Sequence, residues 1–230
     1  MKAWKKLAAL AMALGVTMAL VACGGGGGGN NGNSSSGNGG AGASSSSSQA
    51  ASTTPEELGE AEMEAAIADL YAATNFTIVG TKVVQDYGMV YNVEYTAQIA
   101  DGKAYQVSRT NGVTTYGYIG MVDGVYYDYF SMDGEEWDRI EYPTEAGNPV
   151  SAEALFSNAM QWAIYSYHDF VDGENVFTNL MAPELRVKVV GGKIVEYKIV
   201  EKIGGINTIT ESGIITYGNA VVGDLPTIAE

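Results

Sequence analysis

A catalytic triad in this chain would have to use His168, because it is the only histidine among 230 residues. It stands in Ser166-Tyr167-His168-Asp169 and reads as a helix-end histidine with no triad built around it. Gly191-Gly192-Lys193-Ile194 lacks the upstream glycine and the Ser or Thr of a phosphate-binding loop. Asp133-Gly134-Glu135-Glu136 and Asp172-Gly173-Glu174-Asn175 gather oxygens in turns, but without the alternating ligand spacing of a calcium loop. They read as solvated turns. Carboxylate pairs arise by chance in any acidic chain and mark no glycosidase site by themselves. The expectation is therefore no catalytic residue, no metal and no cofactor: a protein that is not an enzyme.

The side chains that stand out instead are tyrosines, and the segment that carries them sets their geometry. From Val90 to Glu141 short alternating runs are broken at Asp101-Gly102, Asn111-Gly112, Asp123-Gly124 and Asp133-Gly134. Asx-Gly pairs hold the positive φ angles that tight hairpins need, so the segment reads as an antiparallel meander. Tyr91, Val93, Tyr95, Ala97 and Ile99 share one side of the first strand. A three-residue bulged loop, Ala100-Asp101-Gly102, would keep Tyr105 and Val107 on that side; a two-residue turn would put Ala104, Gln106 and Ser108 there instead. With the bulged loop, one face collects Tyr91, Tyr95, Tyr105, Tyr116, Tyr118, Tyr127 and Tyr129, the candidate ligand-binding set. Ile119, Met121, Tyr126 and Phe130 do not fit that face.

Two segments precede the folded part. Lys2, Lys5 and Lys6 followed by the apolar run Leu7 to Ala22 read as a cleaved export signal over residues 1–22. Leu20-Val21-Ala22-Cys23 resembles the lipobox of bacterial lipoproteins, which implies acylation of Cys23 and attachment to the membrane through it. Cys23 is the single cysteine, so an exported domain has no disulfide to lean on. Residues 23–53 are the lipidated cysteine and a Gly/Ser/Asn spacer with too little apolar surface to fold. Such a spacer spans roughly 30 Å on average, enough to cross part of a cell wall. The location expected is extracytoplasmic, on a Gram-positive-type envelope.

Residues 54–230 form one domain in this reading. Thr54-Pro55-Glu56-Glu57 has the pattern of a helix start, and Met63, Ile67, Leu70 and Tyr71 form one apolar stripe to about Ala73. A strand follows at Phe76 to Gln85. Ser151 caps an expected second helix to about Tyr167, with Trp162 packed inside. A loop through Asp172-Gly173 leads to strands at Glu184–Val190 and Lys193–Glu201, with shorter ones near Ile206–Thr210 and Ile214–Tyr217. Without residues 1–22 the chain has nine Lys and Arg against 27 Asp and Glu, a net charge of −18. That excludes nucleic acid as a favoured partner, since phosphate neutralisation dominates such binding. It also excludes electrostatic docking onto anionic lipid.

The order of lipobox, spacer, amphipathic helix, meander, inserted helix and further strands resembles the LolA-like fold, the group of LolA, LolB and the LppX and LprG-type lipoproteins. The ending Ile215-Thr216-Tyr217-Gly218-Asn219-Ala220-Val221-Val222-Gly223-Asp224-Leu225-Pro226 is similar to the last strand of such proteins. The resemblance implies an α+β fold: a curved antiparallel sheet, or half-barrel, covered by two or more helices around a cavity for acyl chains. Tyrosine hydroxyls need partners when buried, so a tyrosine-rich face fits an amphipathic ligand better than a plain lipid. The functional expectation is a membrane-anchored protein that binds or carries a lipid or amphipathic small molecule. The alternative is an envelope interaction module that holds a protein partner.

Overall fold

The computed structural model describes residues 54–86, 89–143, 148–152, 154–156, 167–179, 182–203 and 206–228. The export signal, Cys23, the spacer and Trp162 lie outside these residues.

Helix α1 (Glu60–Tyr71) is followed by β1 (Phe76–Asp86), β2 (Met89–Ala100), β3 (Lys103–Thr110), β4 (Val113–Val122), β5 (Val125–Ser131) and β6 (Asp138–Glu141). Then come β7 (Tyr167–Val171), β8 (Glu174–Asn179), β9 (Ala182–Val190), β10 (Lys193–Ile203) and β11 (Ile206–Tyr217). All eleven strands form one antiparallel sheet in the order β6-β5-β4-β3-β2-β1-β11-β10-β9-β8-β7. It is two meanders joined where β1, the first strand, pairs with β11, the last. Four two-residue turns, at Asp101-Gly102, Asn111-Gly112, Asp123-Gly124 and Asp172-Gly173, hold both residues at positive φ, as does Gly191-Gly192. These angles match the twist of paired strands, which is why the chain folds back so often. At the β6 edge all four residues are exposed, and Asp138, Arg139 and Glu141 place charge on it, a device that discourages pairing with another chain.

The fold class is thus corrected. Among the described residues the molecule is mainly a large antiparallel sheet with one helix of seven or more residues, not an α+β sheet under several helices. The expected second helix begins as read: the Ala154 N–H donates to Ser151 Oγ at 3.1 Å, and Ala152 and residues 154–156 are helical. Its middle lies outside the described residues, and Tyr167 already belongs to β7. The supposed loop at Asp172-Gly173 is a hairpin between β7 and β8, and the two short C-terminal strands are one strand with a shift in register at Ile199/Val200 opposite it.

Helix α1 starts five residues later than its sequence suggests, for a tertiary reason. The Glu56 N–H donates to the Val189 carbonyl at 2.9 Å, while its two carboxylate oxygens accept the Gly191 and Gly192 N–H groups at 3.0 Å each. This holds Pro55–Gly59 extended along the β9–β10 hairpin. Gly59 then becomes the helix cap, its N–H donating to Glu62 Oε2 at 2.9 Å.

The main core lies on the face under α1, which is called the helix face below. Met63, Ala66, Ile67 and Leu70 pack there with Phe76, Ile78, Ile99, Val187, Val189 and Ile194. Full burial of each large apolar side chain contributes about 1.5–3 kcal/mol. The crossing from β6 to β7 adds Val150, Ala152 and Phe156. Phe156 stacks on Phe76 with centroids 6.3 Å apart and meets the Tyr197 ring edge-on at 5.2 Å.

Candidate functional site

The seven candidate tyrosines do not share a face. Asp101 (φ 52°) and Gly102 (φ 69°) make a two-residue turn, so Ala100 pairs with Lys103 and Ile99 with Ala104. The bulged hairpin is therefore corrected, and every residue after it changes sides. Tyr91 and Tyr95 stay on the helix face. Tyr105, Tyr116, Tyr118, Tyr127 and Tyr129 project from the opposite face. Ile119, Met121, Tyr126 and Phe130, the misfits of the sequence reading, are the regular continuation of the helix face, where Ile119 and Tyr126 pack on the core.

On the helix face, Tyr95, Gly80, Gly213 and Tyr197 form one rung across β2, β1, β11 and β10. The two hydroxyls meet at 2.5 Å. Both hydroxyls also reach the Glu211 carboxylate, Tyr197 donating to Oε1 at 2.7 Å and Tyr95 at 3.3 Å. Burial, then the Glu211 carboxylate, push both phenols well above the ordinary tyrosine range. Lys82, in register with Glu211, is lowered by burial, against which the Glu211 charge acts. The tyrosines stay neutral and act as struts.

On the opposite face, the five tyrosines are roofed. After Tyr217 the chain turns over the sheet as a C-terminal strap. Asn75 clamps it, donating Nδ2–H to the Ala220 carbonyl at 3.1 Å and accepting the Ala220 N–H at 2.9 Å. Ala220 and Val222 bury themselves with Ala100 against Tyr105 and Tyr118, and Leu225 fills the space over Gly120. The β5–β6 loop closes the other side: Trp137 meets Tyr118 edge-on at 5.3 Å, and Tyr105 lies 4.4 Å from Tyr118. The Arg139 guanidinium sits 4.5 Å over the Tyr127 ring, and Tyr129 is only 2 % exposed. Burial, with Tyr118 and Tyr116 beside it, raises the Tyr105 phenol. These rings form a second, smaller core.

What lies open on that face is its middle, where a groove of about 540 Å³ crosses β3, β2, β1, β11 and β10. Its walls are two neighbouring rungs of the sheet. One runs Arg109, Glu94, Thr81, Ser212, Lys198; the next runs Val107, Thr96, Val79, Ile214, Glu196. Gly80 and Gly213 form the floor between them. Val79 and Ile214 are 55 % and 59 % exposed at the centre. Thr81 and Ser212 bond each other at 3.2 Å. At one end Lys198 is held by Glu174 and, at 3.2 Å, by Glu196, and these bonds raise its ammonium pKa. The sequence reading missed this groove because it followed aromatic side chains; its signal was the unusually small and polar set opposite Tyr91 and Tyr95.

The other sequence candidates are engaged in local contacts. His168 is in β7, not at a helix end, and stacks on Phe177 at 4.9 Å. Its Nε2 lies 3.0 Å from Asn175 Oδ1. That oxygen can only accept, since the Asn175 amide donates to the Glu56 carbonyl, so Nε2 carries the proton. Asn175 is fully buried and also accepts the Leu58 N–H at 3.0 Å. The Asp133 carboxylate accepts the Glu135 and Glu136 N–H groups at 2.9 Å each, which lowers its pKa. Among the described residues no three His, Cys, Asp or Glu side chains gather as a metal site, and no helix is long and apolar enough to cross a membrane.

No family model matches the chain, and no curated protein matches it either. Among solved structures it is similar to a DUF1329 family protein from Desulfovibrio piger, with 11 % identity over 70 % of this chain and 91 % of that one, at a TM-score of 0.26. A likeness at that level carries no functional argument.

Proposed function

We propose that this chain is a non-enzymatic lipoprotein, held outside the cytoplasm by acylated Cys23, whose domain from Thr54 binds an amphipathic small molecule in the open groove. The observation that carries the reading is the groove itself. Its volume, about 540 Å³, lies in the range of small-molecule sites, and it combines an apolar strip with fixed polar groups. Residues 23–53 supply the tether, and the lipobox-like Leu20-Val21-Ala22-Cys23 supplies the anchor. The tyrosines support the reading mainly by stiffening the sheet on either side, and of the seven candidates Tyr95 lines the groove beside Gly80.

The test is native mass spectrometry of protein purified gently from its host. An added mass that organic extraction removes, and that Ile214→Arg lowers, is the expected result. An empty wild-type protein that takes up no amphiphile in solution counts against a ligand site. In that case the second reading gains, an interaction module whose protein partner covers the same face. The exposure of Val79 and Ile214 at its centre favours that partner.

A further inference from the structure

The two walls of the groove differ in kind across β3, β2, β1 and β11, and meet in the Lys198–Glu196 pair on β10. The Val107–Thr96–Val79–Ile214 stretch is apolar or presents methyl groups, ending at Glu196. The Arg109–Glu94–Thr81–Ser212–Lys198 rung is charged at its ends and carries hydroxyls in its middle. Five strands about 4.8 Å apart make each stripe about 19 Å long, and the stripes lie about 7 Å apart along the strands. A head-to-tail amphiphile does not match this pattern, because its polarity changes along its length and not across its width.

Charge marks one end. Among the described residues the ion pairs use Lys103, Arg186 and Lys198. Arg109 makes none, although Glu94 is its partner in register. Lys198, at the far end, is already held by two carboxylates. In a chain of net charge −15, an anion is repelled from most of the surface and finds a ready partner at Arg109. A guanidinium suits that task, since its forked donors pair with carboxylate or phosphate oxygens.

We propose that the ligand is a facial amphiphile: an elongated molecule with one apolar edge, one hydroxyl-bearing edge and an anionic group at one end. Its apolar edge lies on Val79, Val107 and Ile214, its hydroxyls meet Thr81 and Ser212, and its anion pairs with Arg109. This rests on the groove being the ligand site, and the test separates the two claims.

The mature chain from Gly24, secreted without its acyl group, is titrated by calorimetry with cholate and with dodecyl phosphate, both below micelle formation. Cholate has the same charge sign but carries its hydroxyls along one face. The expected result is one cholate bound, at least tenfold tighter than dodecyl phosphate. Arg109→Gln should weaken cholate about tenfold, and Thr81→Val with Ser212→Ala should weaken cholate while leaving dodecyl phosphate unchanged. Equal binding of the two, lost in Ile214→Arg but indifferent to Thr81→Val, overturns the facial ligand and leaves the groove as a site. Binding of neither, together with an empty native protein, overturns both. Circular dichroism and thermal midpoints of each variant, held within a few degrees of wild type, ensure that lost binding is not lost folding.

Discussion

The hydroxyls of Tyr95 and Tyr197 meet 2.5 Å apart, although their strands are separated by two others. Three inter-strand steps put their backbones about 14 Å apart, so the rings reach each other only by lying flat along the rung. Gly80 and Gly213 make that possible. A Cβ on Gly80 would stand 2.9 Å from the Tyr95 ring and 2.3 Å from the Ser212 carbonyl, and one on Gly213 would stand 2.6 Å from the Tyr197 ring. Aromatic rings laid over strand glycines restore packing that the glycines lack. The same glycines form the floor of the groove on the other side, so strut and groove depend on one rung.

Gly80→Ala is therefore expected to destabilise the domain by about 1–3 kcal/mol, as overpacking does, because the Ser212 carbonyl is backbone and cannot swing away. Tyr197→Phe should cost about 1–2 kcal/mol through the lost bond to the Glu211 carboxylate. Urea unfolding with matched slopes measures both. A neutral Gly80→Ala would show that the rung is loose.

Asp128 gives a pH prediction. It stands on the helix face between Ile119 and Ile140, and burial raises its carboxyl to about 6. A carboxyl raised on folding binds its proton more tightly in the native state, so its charge costs stability above pH 6. That cost is relieved as pH falls from about 6 towards 4. Asp128→Asn should be more stable than wild type at pH 7.5, with the gap closing by pH 4. A constant gap, or a less stable variant at pH 7.5, would reject the assignment.

The strap should be removable at a cost. Asn75→Ala leaves the Ala220 N–H and carbonyl without their clamp, and a loss of about 1–3 kcal/mol is expected. Tyr118→Ala should lose about 2–3 kcal/mol, less than a fully buried aromatic, since Tyr118 is half-buried beneath the strap. Thermal unfolding of both variants, and faster proteolysis after Tyr217 in Asn75→Ala, check this. Unchanged cleavage there would mean that the strap is held by something other than Asn75.

Cys23→Ser should move the protein out of the membrane fraction or leave an uncleaved precursor, since acylation needs the thiol. Mass spectrometry of the wild-type N-terminal peptide should find two or three acyl chains, enough for stable anchoring. Normal processing with no acyl mass would refute the lipid anchor.

Local chemistry settled the strands. Lys103–Thr110, Val113–Val122 and Val125–Ser131 were legible residue for residue, because Asx-Gly turns act within four residues and need no distant partner. What they left open was one residue of register at Asp101-Gly102. Both turns are sterically allowed there, and the choice fell to the core: the two-residue turn puts Ala104, Ile119 and Tyr126 beside Ile99 and Ile78 under α1. The clue was present in the four misfits on the tyrosine face, all of which a single slip converts into regular helix-face positions, two of them, Ile119 and Tyr126, packed on the core. The β1–β11 closure, the delay of α1 by Glu56 and the strap over Tyr118 were not legible, because each joins residues more than a hundred positions apart. The groove belongs with them. Its stripes are rungs of five strands, and a rung exists only once non-local pairing has fixed every register across the sheet.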